Sequence, residues 1–528
     1  MVIQWPVPAP PPDVPPDWRR SGETPEWLGL RARTTPDAIA VIAGERTWTF
    51  TELDRDACRT ARQLATLGVT SGSRAALLLR NGAPLAILAH ALGKLGAVMV
   101  PMNTRLAAPE LTRQLEDIRA RILICDRSLE PLAGAAAEAL PDLARCTVGG
   151  ATEAAGGCDL LPGVAEARAP LRDRFPLSDV QGIMYTSATS GRPKGVQLSY
   201  GNHWWSAIGS AANLGHERRD RWLACLPLYH VGGLAILWRG VIYGIPVVVH
   251  EAFDPERVGG EIDRGGVTLL SLVPTMLQRL LDARGPRRFP PALRCILLGG
   301  GPAPPSLLEA CVSLRAPVAP TYGLTETASQ VATLPPEEAA RRPGSVGRAL
   351  CSAELRIERD GMEAPAGEVG EILVRGPTVM LGYVDRPERP GQSFPQGWLR
   401  TGDLGYLDAE GYLYVVDRRD DLIVSGGENV YPAEVETVLR QHPAVEDAGV
   451  VGLPDPVWGQ MVAAAVTAQP GARPNEEELR TFCAGRIAGY KIPRRIWFVE
   501  ALPRSTAGKL LRRTVRAWAA EALDRDRK

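Results

Sequence analysis

The chain lacks the sequence features that mark secreted proteins and nucleic-acid-binding proteins. Its nine cysteines are scattered over 528 residues and form no CxxC pair. Neither a disulfide framework nor a zinc knuckle is expected, and a reducing cytoplasm fits this composition. Basic and acidic side chains number 60 each, which gives a formal net charge of zero. Because nucleic acids and anionic membranes both attract a basic surface, neither is expected as a partner.

Long uninterrupted apolar segments are also missing. The two longest candidates are APLAILAHALGKLGAVMVP, which contains His90 and Lys94, and LAILWRGVIYGIPVVV, which contains Arg239. A membrane-spanning helix needs about 20 mainly apolar residues, so both segments are predicted to be buried and no integral membrane association is expected. The proline-rich start, MVIQWPVPAPPPDVPPDWRR, has no signal-peptide pattern and predicts an extended arm over residues 1–24.

The remaining sequence alternates short apolar segments with amphipathic ones, in a chain long enough for two or more domains. ARILICD, PVVVHE, VTLLSLVP and LRCILLGGG predict buried strands, whereas TELDRDACRTARQLATLG and APELTRQLEDIRA have helical apolar spacing. This alternation predicts an α/β architecture with largely parallel sheets. Later glycine-containing segments, GEVGEILVRGPTVMLGYVD and GWLRTGDLGYLDAEGYLYVVD, predict antiparallel strands in a barrel-like part.

A domain boundary is predicted within VVDRRDDLIVSGGENVYPAEVE, where a strand is followed by charged residues, a Gly-Gly loop and a new helix near Pro432. Residues 25–419 would form a large domain. Residues 420–528 would form one small α+β domain. No internal repeat is present.

The segment YTSATSGRPKGVQLSYGNHWW, from Tyr185 to Trp205, combines hydroxyl side chains, glycines and one lysine. Backbone N–H groups of a glycine-containing turn can bind phosphate oxygens, and Lys194 adds a compact positive charge. A P-loop phosphotransferase is disfavoured because the pattern GxxxxGK[ST] is absent. An exposed linker is the alternative, although the flanking GIMY and GVQL favour a loop between two buried strands. The hydroxyl donors are Thr186, Ser187, Thr189 and Ser190.

Three further segments could each bind part of a nucleotide or have only a structural role. In TYGLTETAS, Tyr322 could stack on a base, Thr325 could contact a phosphate and Glu326 could hold Mg²⁺, but the segment could also be a capped helix start. In WLRTGDLG, Asp403 could accept both ribose hydroxyls or simply close a turn. Lys509, in PRSTAGKLLRR, taken alone is typical of a solvated surface lysine.

The order of these segments is more informative than any one of them. TSATSGRPKG, LPLYHVGG, YGLTET, WLRTGD, DRRDDLIVSGGEN and STAGK follow one another as the signature segments of the adenylate-forming superfamily do. The chain therefore resembles acyl-CoA synthetases, luciferases and peptide-synthetase adenylation domains over nearly its whole length after the arm. One departure is Ala188, which stands where the usual motif has glycine.

The resemblance implies an activity and an ATP site. In such enzymes a carboxylate attacks the α-phosphate of Mg-ATP, and the thiol of CoA then displaces AMP from the acyl-adenylate. Thr186, Ser187, Thr189, Ser190 and Lys194 would hold the departing phosphates. Gly299, Gly300 and Gly301 would form the adenine wall, with Tyr322 stacked on the base, Thr325 at the α-phosphate, Glu326 on Mg²⁺, and Asp403 and Arg418 on the ribose.

The resemblance also implies that the small domain rotates between two half-reactions. Lys509 would bridge the carboxylate and the α-phosphate during adenylation. Asp420 matches the family's hinge position. The SGGEN loop, including Ser425, Gly426 and Gly427, would line the CoA tunnel after rotation.

The acid-binding part is predicted around LPLYHVGGLAILWRGVIYGIPVVVHEAFDPERV. His230 matches the family residue beside the acyl pocket. Arg239 lies within an apolar run, where an unpaired guanidinium is costly, so it requires a structural carboxylate or a substrate carboxylate. This stretch, together with GNHWWSAIGSAANLG and LVPTMLQRLL, resembles the branch of the family that acts on an aromatic dicarboxylate, whose second carboxylate Arg239 would hold.

Other functions remain open at this point. The chain could be a ligase for another aryl or medium-chain acid, or a nucleotide-binding regulator that has lost catalysis. The presence of Lys509, Glu326 and Asp403 argues against the regulator. The sequence does not define the oligomeric state.

Overall fold

The computed structural model describes residues 22–149, 152–154, 157–186, 193–301, 303–384, 397–417, 422–504 and 510–526. The described chain forms a large N-terminal domain of mixed α/β structure and a small C-terminal α+β domain. The strand Glu23–Pro25 pairs with Arg174–Pro176, so the end of the predicted arm belongs to the large domain, and the rest of the predicted arm lies outside the described residues. Among these residues, no helix has the length and apolarity needed to cross a bilayer.

The first sheet of the large domain is parallel at its centre and antiparallel at one edge. The antiparallel edge arises because the strands flanking the predicted phosphate loop form a hairpin. In spatial order its strands are Gly382–Tyr383, Lys194–Ser199, Val180–Thr186, Val98–Pro101, Arg74–Leu78, Ile122–Asp126 and Ala144–Val148. The chain also has a short hairpin, Thr152–Ala154 with Gly157–Asp159.

The two helices predicted from their apolar spacing are confirmed as Phe50–Thr66 and Ala108–Asp117. The helix Phe50–Thr66 begins at Thr49, whose hydroxyl accepts from the Glu52 backbone N–H while the Glu52 carboxylate accepts from the Thr49 N–H; this reciprocal capping fixes the start. The remaining helices are Trp27–Thr34, Ala83–Leu95, Glu130–Ala137 and the short 3₁₀ turn Arg127–Leu129.

The second sheet of the large domain has a run of parallel strands between antiparallel edges. Its strands, in spatial order, are Arg348–Ala349, Ser329–Thr333, Val318–Leu324, Cys295–Leu298, Leu269–Leu272, Trp222–Ala224, Val247–Val249, Ile39–Ala43 and Arg46–Thr49. Its helices are Tyr200–Leu214, Val231–Tyr243, Pro255–Asp263, Pro274–Arg284, Pro305–Ser313 and Pro336–Ala339, with a 3₁₀ turn at Thr325–Thr327. The buried strands predicted from PVVVHE, VTLLSLVP and LRCILLGGG are confirmed.

The predicted antiparallel part is confirmed as a third sheet. Its strands are Met362–Glu363, Glu354–Arg359, Gly370–Arg375, Leu399–Leu407 and Leu413–Asp417. One hydrophobic core joins all three sheets and extends from Trp27 to Leu413. The third sheet packs against the other two through this core, which positions Asp403 on the strand Leu399–Leu407.

The small domain has cores of its own, built from residues after Leu422. Its strands are Ile423–Ser425, Glu428–Val430, Val445–Asp455, Gly459–Ala468 and Arg495–Phe498, and its helices are Pro432–Leu439, Glu476–Cys483 and Arg512–Asp526, with a 3₁₀ turn at Gly489–Lys491. Separate cores allow two parts of one chain to move as units. The predicted boundary at residues 419 and 420 lies outside the described residues.

Candidate active site

A cavity of about 510 Å³ lies where the second sheet, the third sheet and the small domain meet. This volume is within the usual range for a small-molecule site. Residues predicted from separate segments of the sequence line it together. They are Thr186, Lys194, His230, Gly299, Gly300, Thr325, Glu326, Asp403, Gly426 and Gly427.

The ends of the predicted phosphate loop reach this cavity. Thr186 and Lys194 pair across two antiparallel strands that are both largely buried, which confirms the buried strands predicted on either side of the loop. A Cβ at Gly195 would lie 2.9 Å from the Ile183 side chain and 3.0 Å from that of Val384, so glycine permits this close packing. Ser187, Thr189 and Ser190 lie outside the described residues.

Glu326 lies in the 3₁₀ turn Thr325–Thr327 and faces the cavity. The Tyr383 hydroxyl donates to Glu326 Oε1 at 3.0 Å, and Lys194 Nζ lies 4.8 Å from the centroid of the Tyr383 ring. Burial raises the pKa of the Glu326 carboxyl above its ordinary value, because a buried carboxylate loses hydration. A divalent cation would favour the ionised form.

The residues present suit a magnesium ion that is bound mainly by a nucleotide. No cluster of three or more metal-ligating side chains occurs in the described part of the chain. Magnesium in nucleotide sites commonly uses one or two carboxylates together with phosphate oxygens and water. Glu326 offers one such carboxylate in the cavity, so it fits this arrangement.

Tyr322 and Asp403 are joined directly. The Tyr322 hydroxyl donates to Asp403 Oδ2 at 2.8 Å. Tyr322 is 4% exposed and belongs to the hydrophobic core, and Thr321 and Gly323 line the cavity on either side of it. The structure therefore shows Tyr322 orienting the Asp403 carboxylate; stacking on adenine stays a prediction.

The glycines predicted to form an adenine wall follow the strand Cys295–Leu298. Gly299 and Gly300 line the cavity, and Gly300 has φ of +80°, a backbone conformation that glycine adopts most readily. A Cβ at Gly299 would lie 2.9 Å from the Thr321 side chain. Gly301 is not among the cavity-lining residues.

Arg239 lies deep in the protein behind the cavity, which it does not line. It is 1% exposed, its guanidinium lies 5.2 Å from the Trp222 ring centroid, and Nη2 donates to Ser206 Oγ at 3.4 Å. Within the described residues, Nε and Nη1 have no hydrogen-bond acceptor. No described carboxylate forms an ion pair with this arginine, so the structural-carboxylate alternative gains no support. Ser206 in turn donates to the Ala328 carbonyl, adjacent to the cavity-lining Ser329.

The SGGEN loop of the small domain contacts His230 through Glu428. Glu428 Oε2 lies 3.1 Å from His230 Nε2, and Oε1 accepts from the Tyr229 hydroxyl at 3.1 Å and from Arg105 Nη1 at 3.3 Å. Burial by itself raises the pKa of Glu428, but the interactions with His230, Arg105 and Tyr229 outweigh burial and lower it to about 2. Gly426 and Gly427 line the cavity, whereas Ser425 is buried and does not.

Sequence reasoning did not single out Glu428, Tyr229, Arg105 or Tyr383. Glu428 and Tyr229 are part of the motifs SGGEN and LPLYHVGG, so a charged or hydroxyl side chain inside a recognised motif was the available signal. Arg105 carries no local signal, because its role depends on the docked small domain. Arg418, Asp420 and Lys509 lie outside the described residues, and their roles stay predictions.

The chain matches the AMP-binding enzyme family over residues 29–384 and the AMP-binding enzyme C-terminal domain over residues 434–509. It therefore belongs to the AMP-binding enzyme family, within the adenylate-forming superfamily. It is 51% identical to a 2-succinylbenzoate–CoA ligase of Geobacillus kaustophilus over 93% of this chain and 97% of that protein. A ligase of the same name from Bacillus cereus is 44% identical over 94% of this chain and 99% of its own length.

Solved structures give the same family and add the arrangement of the domains. A double mutant of Bacillus subtilis o-succinylbenzoate CoA synthetase (MenE), bound to the product analogue OSB-NCoA, superposes with a TM-score of 0.87 at 44% identity, covering 93% of this chain and 98% of that one. The same enzyme with the acyl-adenylate intermediate OSB-AMP gives 0.72, also at 44% identity, covering 94% and 99%. Identity and coverage are nearly equal, so the difference lies in the arrangement of the same elements. The present chain is closer to the product-analogue complex.

Proposed function

We infer that this chain is an ATP-dependent acid–CoA ligase that converts 2-succinylbenzoate, ATP and CoA into 2-succinylbenzoyl-CoA, AMP and diphosphate, a step of menaquinone biosynthesis. The observation that carries this conclusion is 51% identity with a 2-succinylbenzoate–CoA ligase over 97% of that protein. The cavity supports it, because the ends of the predicted phosphate loop, the half-buried Glu326 and the SGGEN loop of the small domain line one space.

In the first half-reaction, an oxygen of the succinyl carboxylate forms a bond to the α-phosphorus of ATP, and the bond to the β-phosphate breaks to release diphosphate. Both reactants are anions, so nearby positive groups and oriented donors must offset their repulsion. We assign Thr186 and Lys194 to the departing phosphates, Thr325 to the α-phosphate and Lys509 to the bridge between carboxylate and phosphate. Glu326 would hold Mg²⁺ together with the nucleotide, and the bound ion would supply further charge neutralisation.

In the second half-reaction, the CoA sulfur forms a bond to the acyl carbon, the acyl–oxygen bond breaks, and AMP leaves while the thiol proton is released. The arrangement described above suits this step, since Gly426 and Gly427 line the cavity opposite His230 and leave space for a thin pantetheine chain. Asp403, oriented by Tyr322, and Arg418 are assigned to the ribose of the leaving AMP.

The second carboxylate of the acid requires a positive partner. Arg239 is the candidate, because it is buried, meets no described carboxylate and contacts Ser206 beside the cavity wall. A ligase for a fatty acid would have no use for this charge. The contact would be direct or through water, since Arg239 itself does not line the cavity.

The test is carboxylate-dependent exchange of labelled diphosphate into ATP, measured with 2-succinylbenzoate and a panel of aryl and medium-chain acids. We expect exchange to be fastest with 2-succinylbenzoate. Faster exchange with another acid would make the chain a ligase for that acid. No exchange with any acid would exclude catalysis and favour a nucleotide-binding regulator. We propose a cytoplasmic location, which the scattered cysteines favour and where ATP and CoA are available.

A further inference from the structure

A buried lysine connects the two domains. Lys491 Nζ lies 2.6 Å from Glu110 Oε1 and 2.7 Å from Glu434 Oε1. Glu110 belongs to the large-domain helix Ala108–Asp117, whereas Lys491 and Glu434 belong to the small domain. The exposed fractions are 2% for Lys491, 4% for Glu110 and 7% for Glu434. We name these three residues the charge triad.

The charge triad is sensitive to the position of the small domain. Desolvating an ion is costly, and a buried ion pair is tolerated only when the partners remain in contact. The triad contains two carboxylates and one ammonium, so the charge of Lys491 offsets the negative charge of both Glu110 and Glu434. Burial and the nearby Glu110 raise the pKa of Glu434. Moving the small domain away would separate Lys491 from Glu110, while the Lys491–Glu434 pair would stay within the small domain.

Apolar contacts accompany the triad. Ala488, which precedes the Gly489–Lys491 turn, and Tyr490, which lies within it, pack against a core of the large domain. The Arg105 guanidinium lies 4.6 Å from the Tyr490 ring centroid. The same Arg105 contacts Glu428, which meets His230 at the cavity. A continuous set of contacts thus runs from the charge triad to the SGGEN loop.

We propose that Lys491 is a positioning residue for the CoA-dependent half-reaction, because its buried contact with Glu110 holds the small domain where the SGGEN loop meets His230. The structural likeness to the product-analogue complex, with a TM-score of 0.87 against 0.72 for the acyl-adenylate complex, supports the link between this arrangement and thioester formation. The kinetic part of the proposal rests on the proposed function.

The experiment compares the two half-reactions in Lys491→Met. Diphosphate exchange reports adenylation, and single-turnover transfer from preformed acyl-adenylate to CoA reports thioester formation. Because unpaired buried carboxylates oppose docking, thioester formation should fall about tenfold or more while exchange stays within about twofold. Glu110→Gln leaves the Lys491–Glu434 pair intact and should also lower the rate of thioester formation. This variant tests the proposal if Lys491→Met does not fold.

Lys94→Met is the matched control. Lys94 is also buried and also contacts two carboxylates, Glu26 at 2.7 Å and Asp54 at 2.6 Å, but all three residues belong to the large domain. The Lys94→Met variant should lower the stability of the protein while leaving the ratio of the rates of the two half-reactions unchanged.

Energy transfer between dyes on the two domains gives a readout that needs no substrate. The separation should increase in Lys491→Met and Glu110→Gln but not in Lys94→Met. Equal losses in both half-reactions, or unchanged thioester formation in both interface variants, would overturn the proposal. If the wild-type chain showed no exchange with any acid, the proposed function would fail, and the dye separation would still test the positioning by Lys491.

Discussion

Arg239 is the side chain whose surroundings say most about the acid substrate. The sequence predicted its burial from the apolar run that contains it, and the structure shows it 1% exposed with two guanidinium nitrogens lacking a described acceptor. An unpaired buried cation is unfavourable, so a substrate carboxylate, directly or through water, is its expected partner. The contact with Ser206 could not be predicted, because it depends on how the helices Tyr200–Leu214 and Val231–Tyr243 pack.

We expect Arg239→Met to impair the use of 2-succinylbenzoate selectively. The matched substrate is 4-oxo-4-phenylbutanoate, which is the same acid without the ring carboxylate. Loss of a charge-assisted hydrogen bond costs about 1.5–3 kcal/mol, so kcat/KM for the dicarboxylate should fall roughly ten- to hundredfold more than for the monocarboxylate. Both values come from exchange rates measured at low acid concentration.

Arg284→Met provides the control for loss of a buried arginine. Arg284 is buried like Arg239 but pairs with Asp263 at 2.9 Å. This variant should affect both acids equally. If Arg239→Met also lowered kcat/KM equally for the dicarboxylate and the monocarboxylate, the argument for a carboxylate partner would be removed.

Tyr383 illustrates a residue that only the structure could assign. Its hydroxyl donates to Glu326, and Lys194 lies against its ring, although the three residues are far apart in sequence. In Tyr383→Phe the half-buried Glu326 carboxylate would lose a donor, so the Mg²⁺ concentration at half-maximal exchange should rise about three- to thirtyfold. Tyr406→Phe, whose ring stacks on Tyr414 outside the cavity lining, should leave it unchanged. A similar rise in both variants would argue against a role for the Tyr383 hydroxyl.

At the scale of elements, the buried strands and the first helices were predictable because their apolar spacing is unambiguous. The turn between the strands Val318–Leu324 and Ser329–Thr333 was not. The sequence left open a capped helix start at Thr325, whereas the structure has a 3₁₀ turn with Ala328 and Ser329 at positive φ. Tight antiparallel pairing of the two strands leaves no room for a longer helix, and this pairing is not encoded locally.

Gly323 is required for that turn. A Cβ there would lie 1.7 Å from the Ser329 carbonyl oxygen, so Gly323→Ala must displace Thr325 and Glu326. We expect nucleotide affinity to fall about tenfold or more, with a loss of stability of about 1–3 kcal/mol. Gly134→Ala in the helix Glu130–Ala137 meets nothing closer than 3.5 Å and should stabilise slightly. Calorimetry of ATP binding and urea unfolding would measure both effects; unaltered affinity in Gly323→Ala would contradict the account of the turn.

The SGGEN loop should respond to acid. The pKa of Glu428 is lowered from 4.5 to about 2 by partners that all belong to the large domain. A lowered pKa means that the contribution to docking is complete above about pH 4.5 and is lost as the pH falls through about 2. The separation of dyes on the two domains should therefore increase on acidification below pH 4.5.

Glu428→Gln should be less docked at neutral pH and should show a smaller change in that acidic window. Glu23→Gln removes an exposed carboxylate that pairs with Arg174 inside the large domain, and it should behave like the wild-type chain. An acid response of Glu428→Gln equal to that of the wild type would show that another group controls docking.

For the whole molecule, the family and the two-part organisation were predictable from ordered motifs, whereas the relative position of the domains was not. Motifs specify local chemistry, but docking depends on contacts between residues distant in sequence, such as Glu110 with Lys491 and Arg105 with Glu428. Such contacts accompany the placement of Gly426 and Gly427 in the lining of the cavity.

The central claim is that the succinyl carboxylate, and not the ring carboxylate, forms a bond to the α-phosphorus of ATP. Its most direct test is a single turnover with 2-succinylbenzoate labelled with ¹⁸O in one carboxylate at a time, followed by mass spectrometry of the AMP and diphosphate. One ¹⁸O atom should appear in AMP when the succinyl carboxylate carries the label and none when the ring carboxylate carries it. Label in diphosphate or inorganic phosphate, or transfer from the ring carboxylate, would contradict the claim.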